Sequence, residues 1–336
     1  MSRSASSPPR SIPDRLDNPM LGTLRSWEFL LLLVALAVFL FNSFATPYFL
    51  TPWSLSDSTF NFTERGIIAL AMAMVIISGE IDLSVAGILA LASTAMGAAA
   101  QAGAGVPVLI VVGLGVGMLC GAFNGLLVAG LKLPSIVATI GTMSLFRGVS
   151  YIVLGDQAFT GYPSEFGFFG QGYVWWVISF ELVLFLVMAG VFYVLLHRTS
   201  FGRSVFAIGN NAMAARFSGI RVQRVKFLLF ILTGVMAGLA AILLTSRLGS
   251  TRPSIAFAWE LEVVTIVVLG GISILGGSGS ILGVVMAGFV MGMLTFGLGL
   301  LNVPGIVMSI ITGAMLIIVI AMPILIGRIR NRLARS

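Results

Sequence analysis

Apolar runs alternate with short polar stretches along almost the whole chain, and about ten of them predict helices that cross or enter a membrane. They fall at 28–45, 65–79, 83–101, 106–130, 136–155, 174–196, 227–246, 261–276, 281–301 and 305–326. A spanning helix needs roughly 17–25 mostly apolar residues, and some of these runs are shorter. The pattern predicts an all-α, polytopic membrane domain over 28–326, between a polar tail at 1–27 and a basic tail at 327–336. The opening MSRSASSPPRSIPDRLDNP is rich in Ser and Pro and reads as a disordered tail. The first apolar run begins only near Phe29, which fits a retained span better than a cleaved leader.

The longest polar interruption, Arg198 to Lys226, sets the orientation. It carries six basic residues (Arg198, Arg203, Arg216, Arg221, Arg224 and Lys226) and no acid. Such an excess marks the cytoplasmic side of a membrane. Ten spans put both termini on that side, and the tail agrees with Arg328, Arg330, Arg332 and Arg335. The loop 156–173 falls on the opposite side, with Asp156 and Glu165 and no base. Within the island, Asn210 or Asn211 can cap a helix start, 212–217 favours helix, and Gly219 suits a left-handed stop. The loop 197–226 is therefore expected to hold a short cytoplasmic helix of a size to fill a partner's cleft.

Composition then narrows the class. With 58% hydrophobic and 9% charged residues, and a mean hydropathy of +1.08, the chain is no water-soluble globule. The net charge of +7 comes from basic clusters beside apolar runs, so topology accounts for it and no nucleic-acid partner is expected. A single cysteine, Cys120, excludes an intrachain disulfide and a cysteine metal cluster, and no metal is expected.

Two breaks interrupt the apolar pattern. The first, SGEIDLS at 78–84, places Glu80 and Asp82 where carboxylates are costly unless solvated or paired. It serves either as a tight polar turn or as part of a solute path. The second, LGGISILGGSGS at 269–280, has five glycines; no Lys follows and no strand precedes, so it is not a phosphate loop. VIISGEIDLSVAGILAL aligns with IVVLGGISILGGSGSILGV, and LKLPSIVATIGTM with LNVPGIVMSIITGAM, which suggests a partial internal repeat, inverted or direct. Gly113, Gly117, Gly121 and Gly125 share one helix face, a groove for close packing of another helix. Arg147 lies inside an apolar run and needs a carboxylate such as Asp82 or Glu181, backbone carbonyls or water. His197 suits a helix end. No HExxH, paired cysteine set or Gly-x-Ser-x-Gly is present, so no enzymatic apparatus is visible.

SGEIDLSVAGILAL, LPSIVATIGTMSLFRGVSY and TSFGRSVFAIGNNAMAARFSGIRVQRVK together resemble the permease subunits of bacterial ribose-type ABC importers. That family includes permeases for ribose, xylose, arabinose, rhamnose, galactose and autoinducer-2. The resemblance runs from about Ile67 to Pro323, with Gly202 to Ile220 its most specific block. The family pattern Gly-Gly-Ile-Asp-Leu-Ser stands here as Gly79-Glu80-Ile81-Asp82-Leu83-Ser84, so Glu80 replaces a glycine and no particular sugar is carried over. The resemblance implies a multi-pass protein of the bacterial inner membrane. It would work with a second permease subunit, cytoplasmic ATP-binding subunits and a periplasmic sugar-binding protein. ATP and magnesium would sit on the ATP-binding subunits and no cofactor on this chain, which has no Walker motif. Gly209, Asn210, Asn211, Ala212, Ala214, Ala215, Arg216, Ser218 and Gly219 would form the ATPase-coupling helix and its flanks. Glu80, Asp82, Ser84 and Arg147 are candidates for the translocation path. The alternative is an ion-coupled secondary transporter, with Glu80, Asp82 and Arg147 as its relay.

Overall fold

The computed structural model describes residues 27–155, 157–311, 313–315 and 317. The expected tails apart from Trp27, half of the tenth run and Asp156 lie outside these residues.

Helices dominate, because in hydrocarbon a backbone must satisfy its own polar groups. In chain order they are α1 (Trp27–Ala45), α2 (Pro52–Phe60), α3 (Thr63–Ile77), α4 (Val85–Gln101), α5 (Val106–Gly125) and α6 (Ser135–Leu154). There follow α7 (Phe168–Gln171), α8 (Phe180–His197), α9 (Ser200–Asn210), α10 (Ala212–Phe217), α11 (Val222–Leu248), α12 (Trp259–Leu269) and α13 (Ile281–Leu300). A further helical segment begins at Gly305. Four short strands, β1 (Phe159–Thr160), β2 (Tyr173–Trp175), β3 (Ile178–Ser179) and β4 (Ser250–Thr251), pair antiparallel as β1–β4 and β2–β3.

Each of the ten apolar runs contains helix, with three differences of substance. Residues 174–179 of the sixth run form a hairpin, and its helix starts at Phe180, where Ser179 accepts a hydrogen bond from the Leu182 amide. The eighth run stops at Leu269, because the glycines that follow leave the helix. By contrast, α11 extends the seventh run at both ends, to 27 residues. Among the described residues, six helices can cross a membrane by length and composition, or seven if α2 and α3, bent by 47°, count as one.

The core forms around α3, buried at every residue except Arg65, and around α11. The glycine face of α5 meets a matching face of α11. A Cβ on Gly117 would overlap the Gly234 carbonyl oxygen, one on Gly234 would overlap that of Gly117, and one on Gly121 would overlap that of Phe230. Gly125 packs against Phe227, and Gly113 against Ile242 and Met96. In lipid, helices gain little from hydrophobicity itself, so such small-residue contacts, which maximise dispersion, decide where they cross. The opposite arrangement prevails at the lipid-facing surface, where Val111, Leu119, Ile140 and Ile152 are exposed.

Gly115 lies on the same helix as Gly117 but has nothing within 4 Å of its Cβ position. Gly117→Leu is therefore expected to cost about 1–3 kcal/mol or more by overpacking, seen as a lower thermal midpoint in detergent. Gly115→Leu should leave the midpoint essentially unchanged, and equal behaviour of the two would contradict the crossing.

Candidate functional site

Both breaks and the basic island converge on one end of the molecule. The C-terminus of α3 supplies the central acceptor: the Ile77 carbonyl receives the Gly277 amide at 2.9 Å. Gly209, near the end of α9, packs so tightly there that a Cβ would overlap the same carbonyl. Asn210 donates from Nδ2 to the Gly277 carbonyl at 3.2 Å. Lys226 forms an ion pair with Glu80, tying the start of α11 to the first break. His197, at the end of α8, meets the Tyr193 ring at a tilt, centroids 4.9 Å apart, and accepts a long 3.4 Å contact from the Ile281 amide at the start of α13.

The island itself holds two helices, not one. Thr199 caps α9, its hydroxyl accepting from the Gly202 amide at 3.2 Å. Asn211, and not Asn210, caps α10, accepting from the Met213 and Ala214 amides at 3.0 Å each. Gly219 takes the left-handed conformation at φ 86° that ends it. Ala215 does not face outward. It is 4% exposed and packs with Ile208 and Val222, which fastens α10 to α9 and α11. The outward face instead carries Met213, 70% exposed, and Phe217, 86% exposed, with Ala212, Ala214, Arg216 and Ser218 also exposed. Met213 and Phe217 were missed in the sequence, although their spacing of four places them on one face of a helix.

The other candidate residues separate. Asp82 is fully buried, and its Oδ1 accepts from the Ser84 amide at 3.0 Å and the Ser84 hydroxyl at 2.6 Å. Asn124 on α5 donates to that hydroxyl at 2.6 Å, so the turn and the start of α4 are pinned to α5. Arg147 reaches neither Asp82 nor Glu181. It donates to the carbonyls of Pro253 at 2.7 Å, Ile255 at 3.1 Å and Ala86 at 3.3 Å, fixing the segment between β4 and α12 against α4. Glu181 lies at the far end of the molecule, where it accepts from Thr63 at 2.6 Å beside the Glu64–Arg247 ion pair of 2.7 Å. Arg65, paired with Glu262 at 3.0 Å and stacked on Trp259, completes that far-end cluster. The partners of Arg147, Glu181, Glu64 and Arg65 were not legible in the sequence, since Pro253, Thr63, Arg247 and Glu262 each lie more than a hundred positions away. Among the described residues no group of three or more His, Cys, Asp or Glu side chains is placed to hold a metal ion.

A membrane-embedded helical bundle with two broken helices, gathered under a projecting two-helix island, defines a transport protein of permease type. The chain belongs to the family described as branched-chain amino acid transport system / permease component, which matches residues 54–320. It is 36% identical over 280 residues to the ribose import permease protein RbsC of Bacillus subtilis, covering 83% of this chain and 87% of that protein. It is 35% identical over 306 residues to the autoinducer 2 import system permease protein LsrD of Photorhabdus temperata, covering 89% and 92%. The LsrD protein of Yersinia enterocolitica is 38% identical over 269 residues, covering 78% and 81%. No solved structure matches the chain.

If the Lys226–Glu80 pair joins the island to the first break, its two ends are energetically coupled. Lys226→Met and Glu80→Gln should each lower the thermal midpoint, and the double variant should lose less than their sum. The expected coupling is about 0.5–3 kcal/mol, and strict additivity would show that the pair contributes nothing.

Proposed function

We propose that this chain is the membrane-spanning permease subunit of an ATP-driven importer of a monosaccharide or sugar-like solute. The names of the relatives, ribose and autoinducer 2 import permeases, support that substrate class. The observation that carries the mechanism is the position of α10. It projects apolar Met213 and Phe217 outward, while the island behind it touches both helix breaks at once. A separate ATP-binding subunit supplies the energy, and its cleft receives α10. Movement of α10 then passes through Gly209 to the end of α3, through Asn210 to the second break, and through Lys226 to the first.

A second permease subunit and a periplasmic sugar-binding protein complete the assembly in the bacterial inner membrane, with the island and both termini cytoplasmic. The six basic residues of the island, set against the loop 156–173 with Asp156 and Glu165 and no base, support this orientation. The helix–break–helix units α3–α4 and α12–α13 are read as two copies of one repeat. Both turn back at the island end, which supports a direct rather than an inverted relation. Asp82 and Arg147 act as scaffold in this reading, because a turn and three carbonyls already engage them.

Phe217→Asp changes an exposed residue and should leave a folded permease that fails to retain its ATPase on co-purification, with uptake lost. Ala215→Asp should instead disrupt the island by burying a charge. Uptake should be blocked by vanadate and tolerate an uncoupler; uncoupler-sensitive, vanadate-resistant uptake together with normal behaviour of Phe217→Asp would favour a secondary transporter.

Cysteines at Ser218 and Ser164, both exposed, in a Cys120→Ala background test the orientation. Ser218→Cys should react with an impermeant maleimide only after the cytoplasm is opened, and Ser164→Cys from the outside. Labelling of both from one side would overturn the topology.

A further inference from the structure

A patch of exposed aromatic side chains lies at the end of the molecule opposite the island. The β2–β3 hairpin presents Val174, Trp175 and Trp176, which are 55%, 76% and 68% exposed. No charged residue occurs between Gly172 and Phe180. The hairpin is fixed to a membrane-spanning helix, because Ser179 in β3 is also the N-cap of α8. It is continuous with a second aromatic group near the end of α1. Trp53 meets Tyr173 edge-on with ring centroids 5.5 Å apart, and Phe60 meets the same ring at 6.4 Å. Tyr48, 69% exposed, and Trp53, 51% exposed, follow α1 directly. The patch therefore sits where two spanning helices, α1 and α8, end.

We propose that this hairpin is a lipid-facing anchor, with Trp175 and Trp176 seated in the headgroup layer of the bilayer surface opposite the island. Three observations favour lipid over a protein partner. The hairpin carries no charge with which to steer or orient a soluble partner. Its side chains combine an apolar ring with one polar N–H, the chemistry enriched at membrane–water boundaries. Neither indole N–H has a hydrogen-bond partner among the described residues, so both are free to bond to headgroup oxygens or interfacial water. The backbone contributes as well: Trp176 has φ 43°, a region a bulky residue rarely occupies, and that turn leaves two adjacent indoles outside. The anchor would hold the outer end of α8 at a fixed depth while the island end moves. This role is independent of which solute is carried.

The test uses the full chain in nanodiscs of phosphatidylcholine brominated either near the headgroup end or near the methyl end of its acyl chains. Tryptophan quenching is compared between the wild type and W175F/W176F. Both indoles are exposed, so the pair of substitutions spares the core; W175F and W176F singly serve if the double variant elutes abnormally. The expected result is strong quenching by shallow bromines, much of it lost in the variant, with little change in the deep-bromine signal. Identical shallow quenching in variant and wild type would overturn the proposal. So would variant-sensitive quenching by aqueous iodide in place of bromolipid, which would put the hairpin in water. Iodide quenching abolished by an added soluble binding protein would mark it as a protein-docking surface and also overturn the anchor.

Discussion

Interrupting a helix inside a bilayer leaves amide and carbonyl groups that lipid cannot satisfy, so a broken helix persists only where protein covers the break. Here the two breaks cover each other. The Gly277 amide bonds to the Ile77 carbonyl, and the island closes over both through Gly209 and Asn210. Much of the architecture follows from that contact. α3 runs only about 22 Å and α12 about 16 Å before each ends at a break that the other break and the island cover.

The remainder of the bundle holds this junction in place from two directions. Along its length, the crossing of α5 and α11 brings backbone to backbone at Gly117 and Gly234, which fixes how α11 rises from the island. At the opposite end, Glu64, Glu181 and Arg247 gather the starts of α3 and α8 and the end of α11. Both ends of α3 are thus clamped, one by backbone hydrogen bonding and one by charge. A displacement at the island would be carried along such a helix instead of being absorbed by local bending. That property suits a subunit driven from one side.

The two clamps differ in chemistry for a physical reason. At the island end the contacts around Ile77 use main-chain groups and glycines, which allow close approach, with the Lys226–Glu80 ion pair beside them. At the far end they use buried ions, whose separation would leave a carboxylate unpaired in a low dielectric and cost several kcal/mol.

Much of this was legible in the residues. Hydropathy located helix in all ten runs, because the bilayer imposes length and apolarity on each segment separately. The six basic residues of the island marked one end of the molecule as basic, and the every-fourth-residue glycines indicated a packing face, both being local patterns. The α10 cap and stop could be narrowed to Asn210 or Asn211 and Gly219, since capping is decided within a few residues. Partners were beyond reach. Arg147 was open to carboxylates or carbonyls, and only the folded chain brings Pro253, Ile255 and Ala86 to it. The inward turn of Ala215 and the outward turn of Met213 and Phe217 depend on Ile208 and Val222 packing behind α10. The sequence by itself determined where the chain enters helix and which end is basic, because those are short-range consequences of composition in a membrane. The tertiary structure alone decided that the two breaks and the island are one site, because that contact joins residues 77, 209 and 277, distant in sequence and recognisable only once the backbones meet.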